Sequence, residues 1–115
     1  MRFTLENRVR AQRDFDFIRS NGVKADCSAF ILFMARPDAP RGHSRLGVVA
    51  SKRIGNSVYR HRAKRIFREI FRTSGTPLPC DILVYVRRGV FKFAFADLKE
   101  KFERAVGEFC GGQKK

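Results

Sequence analysis

The sequence predicts an α+β fold in which helices pack against one central sheet, as a two-layer α/β sandwich. Apolar residues recur at helical spacing in two long segments, and three short segments are runs of β-branched and aromatic residues. The predicted order is helix, two or three strands, helix, strand, helix. With 115 residues the chain suits one core, so we expect a single domain over 1–115 with a disordered polar tail at 111–115.

The first predicted helix covers residues 11–20, and Asn21-Gly22 ends it because both residue types tolerate positive φ. A short edge strand is predicted over 22–27. The continuous apolar run Phe30–Ala35 predicts a central strand. Residues 36–44 contain two prolines and a glycine, which predicts a turn or loop.

A second central strand is predicted over 46–51, and a long helix begins near Ser57. Its cap is either Asn56 or Ser57, whose side-chain oxygen accepts from the first-turn N–H groups. Gly75 and Pro77 end this helix. Its apolar residues fall at i, i+3, i+4, i+7 and i+8 and therefore share one face: Ala63, Ile66, Phe67, Ile70 and Phe71.

The last two predicted elements are a strand over 80–87, which Gly89 breaks, and a helix over 95–109. Apolar residues again recur in the helix at helical spacing: Leu98, Phe102, Ala105, Val106 and Phe109.

Charge indicates the class of partner. The chain carries 25 Lys and Arg against 11 Asp and Glu, a formal net charge of +14. Such an excess favours a polyanionic partner, which is RNA, DNA or an anionic membrane. No apolar run approaches the roughly 18 residues that span a bilayer. The polar residues 1–13 contain no secretory signal, so we expect a cytoplasmic protein.

Three widely spaced cysteines, Cys27, Cys80 and Cys110, form no CxxC motif and are expected to be reduced thiols. His43 and His61 lie at no zinc-ligand spacing from them. An alternative is that the two histidines act as an acid–base pair and that the protein itself cleaves RNA. No clustered carboxylates suggest a site for two metal ions.

The segment from Lys52 to Arg72 carries the strongest functional signal. A solvated helix face usually mixes charge signs, whereas the only acid here is Glu69, so we expect phosphate groups to bind along this helix. Gly55 and Asn56, before the helix, offer a second place for phosphate at its N-terminus. The cations are Lys52, Arg53, Arg60, Arg62, Lys64, Arg65, Arg68 and Arg72, of which Arg60, Arg62 and Arg65 are expected to point to solvent.

A second surface is predicted from the strand Phe30–Ala35, because alternate side chains point to opposite faces. Phe30, Leu32 and Met34 are expected to pack under the helices. The groove on the other face would then be lined by Phe15, Arg19, Ile31 and Phe33. Aromatic and aliphatic grooves rimmed by Arg are typical of single-stranded RNA sites. The alternative is that all of these side chains belong to the core.

The segment SKRIGNSVYRHRAKRIFREIFR at 51–72 resembles the signature of the bacterial ribonuclease P protein. That family has a strand ending in a basic pair, a Gly-Asn turn, and an Arg-Asn-Arg helix start followed by Lys-Arg. The resemblance extends to NRVRAQRDF, the Gly22 turn, the FILF strand and the DILVYVRRG strand, and so covers nearly the whole chain.

The resemblance implies the fold of the ribosomal protein S5 domain 2-like class, with a left-handed crossover around the basic helix and about four strands in a mixed sheet. It implies a cleft, at Phe15, Arg19, Ile31 and Phe33, that holds the single-stranded 5′ leader of precursor tRNA. It also implies that RNA-bound Mg²⁺ performs the chemistry, with one protein per catalytic RNA. The residues that it implies for contact with the catalytic RNA are Lys52, Arg53, Asn56, Arg60, His61, Arg62, Lys64, Arg65 and Arg68.

Two positions depart from the family pattern. His61 replaces the central Asn of the Arg-Asn-Arg motif, and an imidazole does not reproduce the geometry of an amide. Arg19 stands where relatives often have an aromatic residue, so contact with the leader there would be electrostatic. Composition alone also admits a structural ribosomal RNA-binding protein. A DNA-binding module would require its basic helix to enter a major groove, and no helix-turn-helix pair is evident.

Overall fold

Three α-helices and one four-stranded mixed sheet make up the protein, in a computed structural model that describes residues 9, 11–36, 43–74 and 80–112. The elements are α1 (Gln12–Asn21), β1 (Val23–Asp26), β2 (Phe30–Ala35), β3 (Arg45–Val49), α2 (Ser57–Thr73), β4 (Asp81–Val86) and α3 (Phe95–Gly112). Short 3₁₀ turns lie at Lys52–Ile54 and Arg88–Lys92.

The strands lie in the order β1-β2-β4-β3. β2 pairs antiparallel with both β1 and β4, with Leu32 opposite Val84, whereas β3 runs parallel to β4. α2 therefore connects two adjacent parallel strands. This arrangement confirms the predicted mixed sheet packed by three helices, and the left hand of the crossover stays a prediction.

The main core lies between one face of the sheet and the helices α2 and α3. Phe30, Leu32 and Met34 are buried there, as their alternation predicts. The ring of Phe30 meets that of Phe67 on α2 edge-on, with 4.8 Å between centroids. The buried residues of α2 and α3 include most of both predicted apolar sets: Ala63, Phe67, Ile70, Phe71, Leu98, Phe102, Ala105, Val106 and Phe109.

α1 packs on the opposite face of the sheet. Ile18 is fully buried there in a second apolar cluster with Ala35 of β2 and Leu83 of β4. Phe15 and Phe33 are half-buried against the same cluster. Helices therefore pack on both faces of the sheet, and Phe33 and Tyr85 on the α1 face remain partly exposed.

The element boundaries differ slightly from those predicted. β3 ends at Val49 because a 3₁₀ turn follows, in which the Ser51 hydroxyl accepts a hydrogen bond from the Arg53 N–H. α3 continues to Gly112, into the segment predicted to be a disordered tail, and residues 113–115 lie outside the described part of the chain. Most of the predicted loop at 36–44, and the predicted helix stop at Gly75 and Pro77, also lie outside it.

Cys27, Cys80 and Cys110 are all free thiols. Burial raises the pKa of Cys80 to about 12, so this thiol stays protonated well above the pH at which an exposed thiol ionises. Among the described residues, no helix has the length and apolar character that crossing a membrane requires.

Candidate nucleic-acid interface

The N-terminus of α2 is organised by the Gly-Asn turn. Asn56 Oδ1 accepts hydrogen bonds from the backbone N–H groups of Val58 (3.0 Å) and Tyr59 (3.3 Å). Gly55 has φ +142°, a conformation that disfavours any side chain. The side-chain oxygen of Asn56 is therefore engaged as a helix cap, which gives this predicted RNA-contact residue a structural role at the start of the basic helix.

α2 presents a cationic face. His61, Arg62 and Arg65 are exposed, as are Lys52 and Arg53 in the preceding 3₁₀ turn. Lys64 and Arg68 are half-buried along the same helix. The Arg72 guanidinium pairs with the Glu69 carboxylate three residues earlier, with Nε donating at 3.0 Å, so the single acid of the helix is already engaged.

Arg60 differs from the prediction that it points to solvent. The residue is half-buried, and its Nε atom is buried without a hydrogen-bond partner among the described residues. It borders a cavity of about 160 Å³ lined by Ala50, Ser57, Arg60, His61 and Lys64. Arg62 and Arg65 are exposed as predicted. The cavity thus combines a buried donor, two further basic side chains and a hydroxyl, a set suited to a phosphate oxygen.

The other predicted surface lies between α1 and the sheet, and we call it the α1 cleft: Phe15, Arg19, Ile31, Phe33 and Tyr85. Phe33 and Tyr85 meet edge-on, with 5.4 Å between ring centroids and 72° between ring planes. Ile31 lies directly opposite Tyr85 in the antiparallel pair of β2 and β4. Phe15, Ile31 and Phe33 are half-buried, so the predicted face assignment is confirmed and each retains exposed surface.

Arg19 lies at the rim of the α1 cleft. Its guanidinium donates to the Asp16 carboxylate at 2.6 Å. The bond to Asp16, together with the nearby Tyr85 hydroxyl, raises the pKa of Arg19 above its ordinary value. The side chain keeps 45% of its surface exposed, so the paired guanidinium remains open to solvent beside the rings.

Tyr85 was not predicted as a site residue, although the sequence carries a signal for it. Ile82, Val84 and Val86 in β4 point into the main core, so period-two alternation directs Tyr85 to the opposite face. That is the face of Phe33.

An ion-pair cluster fixes α1 against the sheet. The Arg45 guanidinium on β3 donates to both carboxylate oxygens of Asp81 on β4, at 3.0 and 2.9 Å, and to Asp14 on α1 at 3.2 Å. The side chains are 15%, 1% and 14% exposed, respectively. Sequence reasoning missed this cluster because its members lie 31 and 36 residues apart.

The described residues do not form a metal site: no group of three or more His, Cys, Asp or Glu side chains converges among them. Among the described residues, the side chains that line the cavity beside His61 carry basic, hydroxyl and methyl groups and no carboxylate. These donors suit phosphate and do not suit Mg²⁺, which prefers carboxylate and phosphate oxygens.

Comparison with known proteins agrees with this geometry. The ribonuclease P family model matches residues 3–110. The chain is 35% identical over 103 residues to a ribonuclease P protein component from Syntrophobacter fumaroxidans, covering 87% of this chain and 85% of that protein. It is 30% identical over 100 residues to one from Staphylococcus carnosus, covering 86% of each.

Solved structures of RNase P proteins are also similar to this chain. The RNase P protein from Staphylococcus aureus superposes with a TM-score of 0.76 at 27% identity, covering 90% of this chain and 94% of that one. The RNase P protein from Thermotoga maritima superposes with a TM-score of 0.74 at 28% identity, covering 86% and 94%. The chain belongs to the ribonuclease P protein family, whose members are the protein component of a tRNA-processing ribonucleoprotein.

Proposed function

We propose that this chain binds the catalytic RNA of ribonuclease P through α2 and the 5′ leader of precursor tRNA through the α1 cleft. It thereby assists removal of the leader in tRNA 5′ maturation. The proposal rests on the presence of two different surfaces on one chain. One is a cationic helix whose single acid forms an ion pair with Arg72, and the other is an aromatic cleft with an arginine at its rim. Family membership sets aside the structural ribosomal and DNA-binding alternatives.

Binding to the catalytic RNA rests on charge and donor geometry. The exposed cations of α2 and its preceding turn suit backbone phosphates, and the cavity at Arg60, His61 and Lys64 suits one phosphate held more closely. If about six phosphate contacts form, the logarithm of the association constant falls with the logarithm of salt concentration at a slope of roughly −4 to −5.

Binding of the leader rests on the exposed ring surfaces of the α1 cleft. Phe33 and Tyr85 are held edge-on by β2 and β4, so their orientation exists before RNA binds. A single-stranded leader can stack unpaired bases on such rings, at about 1–3 kcal/mol per base. Arg19 then supplies a charge for the leader backbone.

We further propose that Mg²⁺ is held by RNA oxygens, that the catalytic RNA performs the cleavage, and that one protein binds each RNA. The side chains around the cavity at Arg60 are basic, and they supply phosphate affinity in place of metal ligands. We also propose a cytoplasmic location, because precursor tRNA is made and matured there in bacteria.

Reconstitution tests the proposed function. Added to a bacterial ribonuclease P RNA at low Mg²⁺, the wild-type protein is expected to promote cleavage of precursor tRNA at its 5′ end. The triple change Arg60→Ala, Arg62→Ala, Arg65→Ala is expected to require much higher protein concentrations. The control triple Lys99→Ala, Lys101→Ala, Arg104→Ala removes the same charge from α3, on the face of the sheet away from the α1 cleft, and is expected to behave nearly as wild type. Equal loss in both triples would show that bulk charge, and not α2, drives binding.

A further inference from the structure

The first turn of α2 exposes two large apolar side chains that the core does not explain. Val58 is 69% exposed and Tyr59 is 46% exposed, and they are half of the four exposed large hydrophobic residues in the described part of the chain. Val58 lies on the cationic face, four residues before Arg62, and Tyr59 lies at the edge of that face, three residues before Arg62. Apolar residues that are exposed singly are ordinary, whereas exposed apolar side chains that adjoin one another mark binding surfaces.

Tyr59 is held in place from two sides. The Gly55 backbone packs beneath it so closely that a Cβ atom on Gly55 would lie 3.0 Å from Tyr59 Cδ2. Phe91, in the 3₁₀ turn that follows β4, lies beside it with 5.7 Å between ring centroids. The Arg62 guanidinium carbon lies 5.5 Å from the centroid of Phe91. The ring is thus ordered by packing while nearly half of its surface remains open.

The surroundings of these rings are strongly basic. Arg62, Arg88 and Lys92 are exposed cations on the two segments that build the surface. The segments that carry these cations, residues 57–68 and 87–96, contain no Asp or Glu. We call Tyr59, Phe91, Arg62, Arg88 and Lys92 together the aromatic-basic patch.

The aromatic-basic patch is separate from the α1 cleft. Phe91 packs against the main core, on the face of the sheet that α2 and α3 cover. The rings of the α1 cleft belong to the apolar cluster on the opposite face. RNA that occupies one of these surfaces therefore lies on a different side of the sheet from RNA in the other.

We propose that the aromatic-basic patch is a second nucleobase-stacking site, which receives an unpaired base of the catalytic RNA on Tyr59 while Arg62, Arg88 and Lys92 contact the flanking phosphates. The inference rests on the proposed function and deepens it. An ordered, half-exposed ring among cations matches how proteins bind single-stranded RNA, because every base has a face that stacks and every linkage carries a charge. An acidic peptide would use the cations and leave the ring without a role.

The tyrosine content of the chain provides a direct test. Its two tyrosines are Tyr59 in the patch and Tyr85 in the α1 cleft. Incorporating 3-fluorotyrosine therefore gives two ¹⁹F resonances, which the variants Tyr59→Phe and Tyr85→Phe assign. Catalytic RNA is expected to shift the Tyr59 resonance, whereas a short leader oligonucleotide is expected to shift the Tyr85 resonance. A Tyr59 resonance that catalytic RNA leaves unmoved overturns the proposal, as does one that moves only with anionic phospholipid vesicles.

Affinity measurements complete the test. Tyr59→Ala is expected to weaken binding to the catalytic RNA by about 5- to 150-fold, the range for loss of one stacked base. Tyr59→Phe keeps the ring and is expected to bind within about twofold of wild type. Val58→Ala, a neighbouring exposed side chain without a ring, serves as the matched control with the same expectation. All three variants are expected to unfold in one cooperative transition, as the wild type does, because neither Val58 nor Tyr59 belongs to the buried core.

The two proposals fail in different ways. Wild-type protein that binds the catalytic RNA with the expected salt dependence, while Tyr59→Ala binds equally well, overturns only the second stacking site. Wild-type protein that shows no salt-dependent binding to the catalytic RNA overturns the proposed function itself.

Discussion

Replacing Arg45 with Met is expected to destabilise the protein far more than a surface ion pair would suggest. The change keeps a long apolar side chain but removes the guanidinium that donates to Asp81 twice and to Asp14 once. The Asp81 side chain is 1% exposed, so water cannot replace the lost donors. Breaking a buried pair by removing one partner costs about 3–5 kcal/mol, because a charge stays behind in a poorly solvated site.

Arg72→Met is the matched control for this prediction. Arg72 and Glu69 form an ion pair whose side chains are 40% and 48% exposed, and exposed pairs contribute about 0–1 kcal/mol. Urea denaturation, followed by circular dichroism at neutral pH, gives the free energy of unfolding of each variant. For a domain of this size, a loss of 3–5 kcal/mol also lowers Tm by roughly 10–20 °C.

A double variant tests whether the charge left on Asp81 causes the loss of stability. Arg45→Met combined with Asp81→Asn removes the buried charge as well, so it is expected to lose less stability than the sum of the two single changes. Since Arg45 also contacts Asp14 on α1, the single variant is expected to bind the leader more weakly even where it remains folded. An Arg45→Met protein within 1 kcal/mol of wild type would refute the reasoning.

Three further perturbations have defined outcomes. Gly47→Ala places a Cβ atom 3.2 Å from Phe15 Cε1 and 2.8 Å from the Leu83 side chain. The variant is therefore expected to lose about 1–3 kcal/mol of unfolding free energy in urea denaturation and to bind the leader more weakly. Unchanged stability and leader affinity would contradict the packing at the floor of the α1 cleft. Burial raises the pKa of Cys80 to about 12, against about 8.5 in the unfolded chain, so the folded state retains this proton and stability is lost as pH rises from about 9 towards 12. For this group the loss of unfolding free energy is at most about 1.4 kcal/mol per pH unit. The urea midpoint of Cys80→Ala is therefore expected to decline less steeply at alkaline pH than that of the wild type. Parallel declines of the two midpoints would contradict a raised Cys80 pKa. Finally, the double change His43→Ala, His61→Ala is expected to leave substantial holoenzyme activity at saturating protein and ample Mg²⁺, and RNA-free protein that cleaves precursor tRNA would contradict the assignment of chemistry to the RNA.

The local features of the fold follow from sequence patterns. Apolar spacing predicts α2 and α3, and alternation in β2 predicts that Phe30 faces the main core while Phe33 faces the opposite side. These predictions hold because each depends on neighbours within a few residues. The Asn56 cap follows for the same reason, from residue type next to a helical pattern.

Features that join distant segments were not predictable in this way. The Arg45 cluster connects residues 31 and 36 positions apart, and no periodicity marks such a contact. The face on which α1 packs depends on the room that Gly47 leaves in β3. Arg60 was expected in solvent because helical spacing alone cannot show how closely Ala50, the residue after β3, approaches the helix.

Leader binding in the α1 cleft is tested by the affinity of the reconstituted holoenzyme for precursor tRNA with and without its leader. Phe33→Ala is expected to weaken binding of the substrate with a leader by about 1–3 kcal/mol, with little change for mature tRNA or for the catalytic RNA. Phe67→Leu, a change in the main core away from the α1 cleft, controls for general loss of stability. The leader-dependent part of the affinity is expected to fall only in Phe33→Ala. Equal affinity of wild type and Phe33→Ala for the leader-bearing substrate, with both proteins folded, would contradict it.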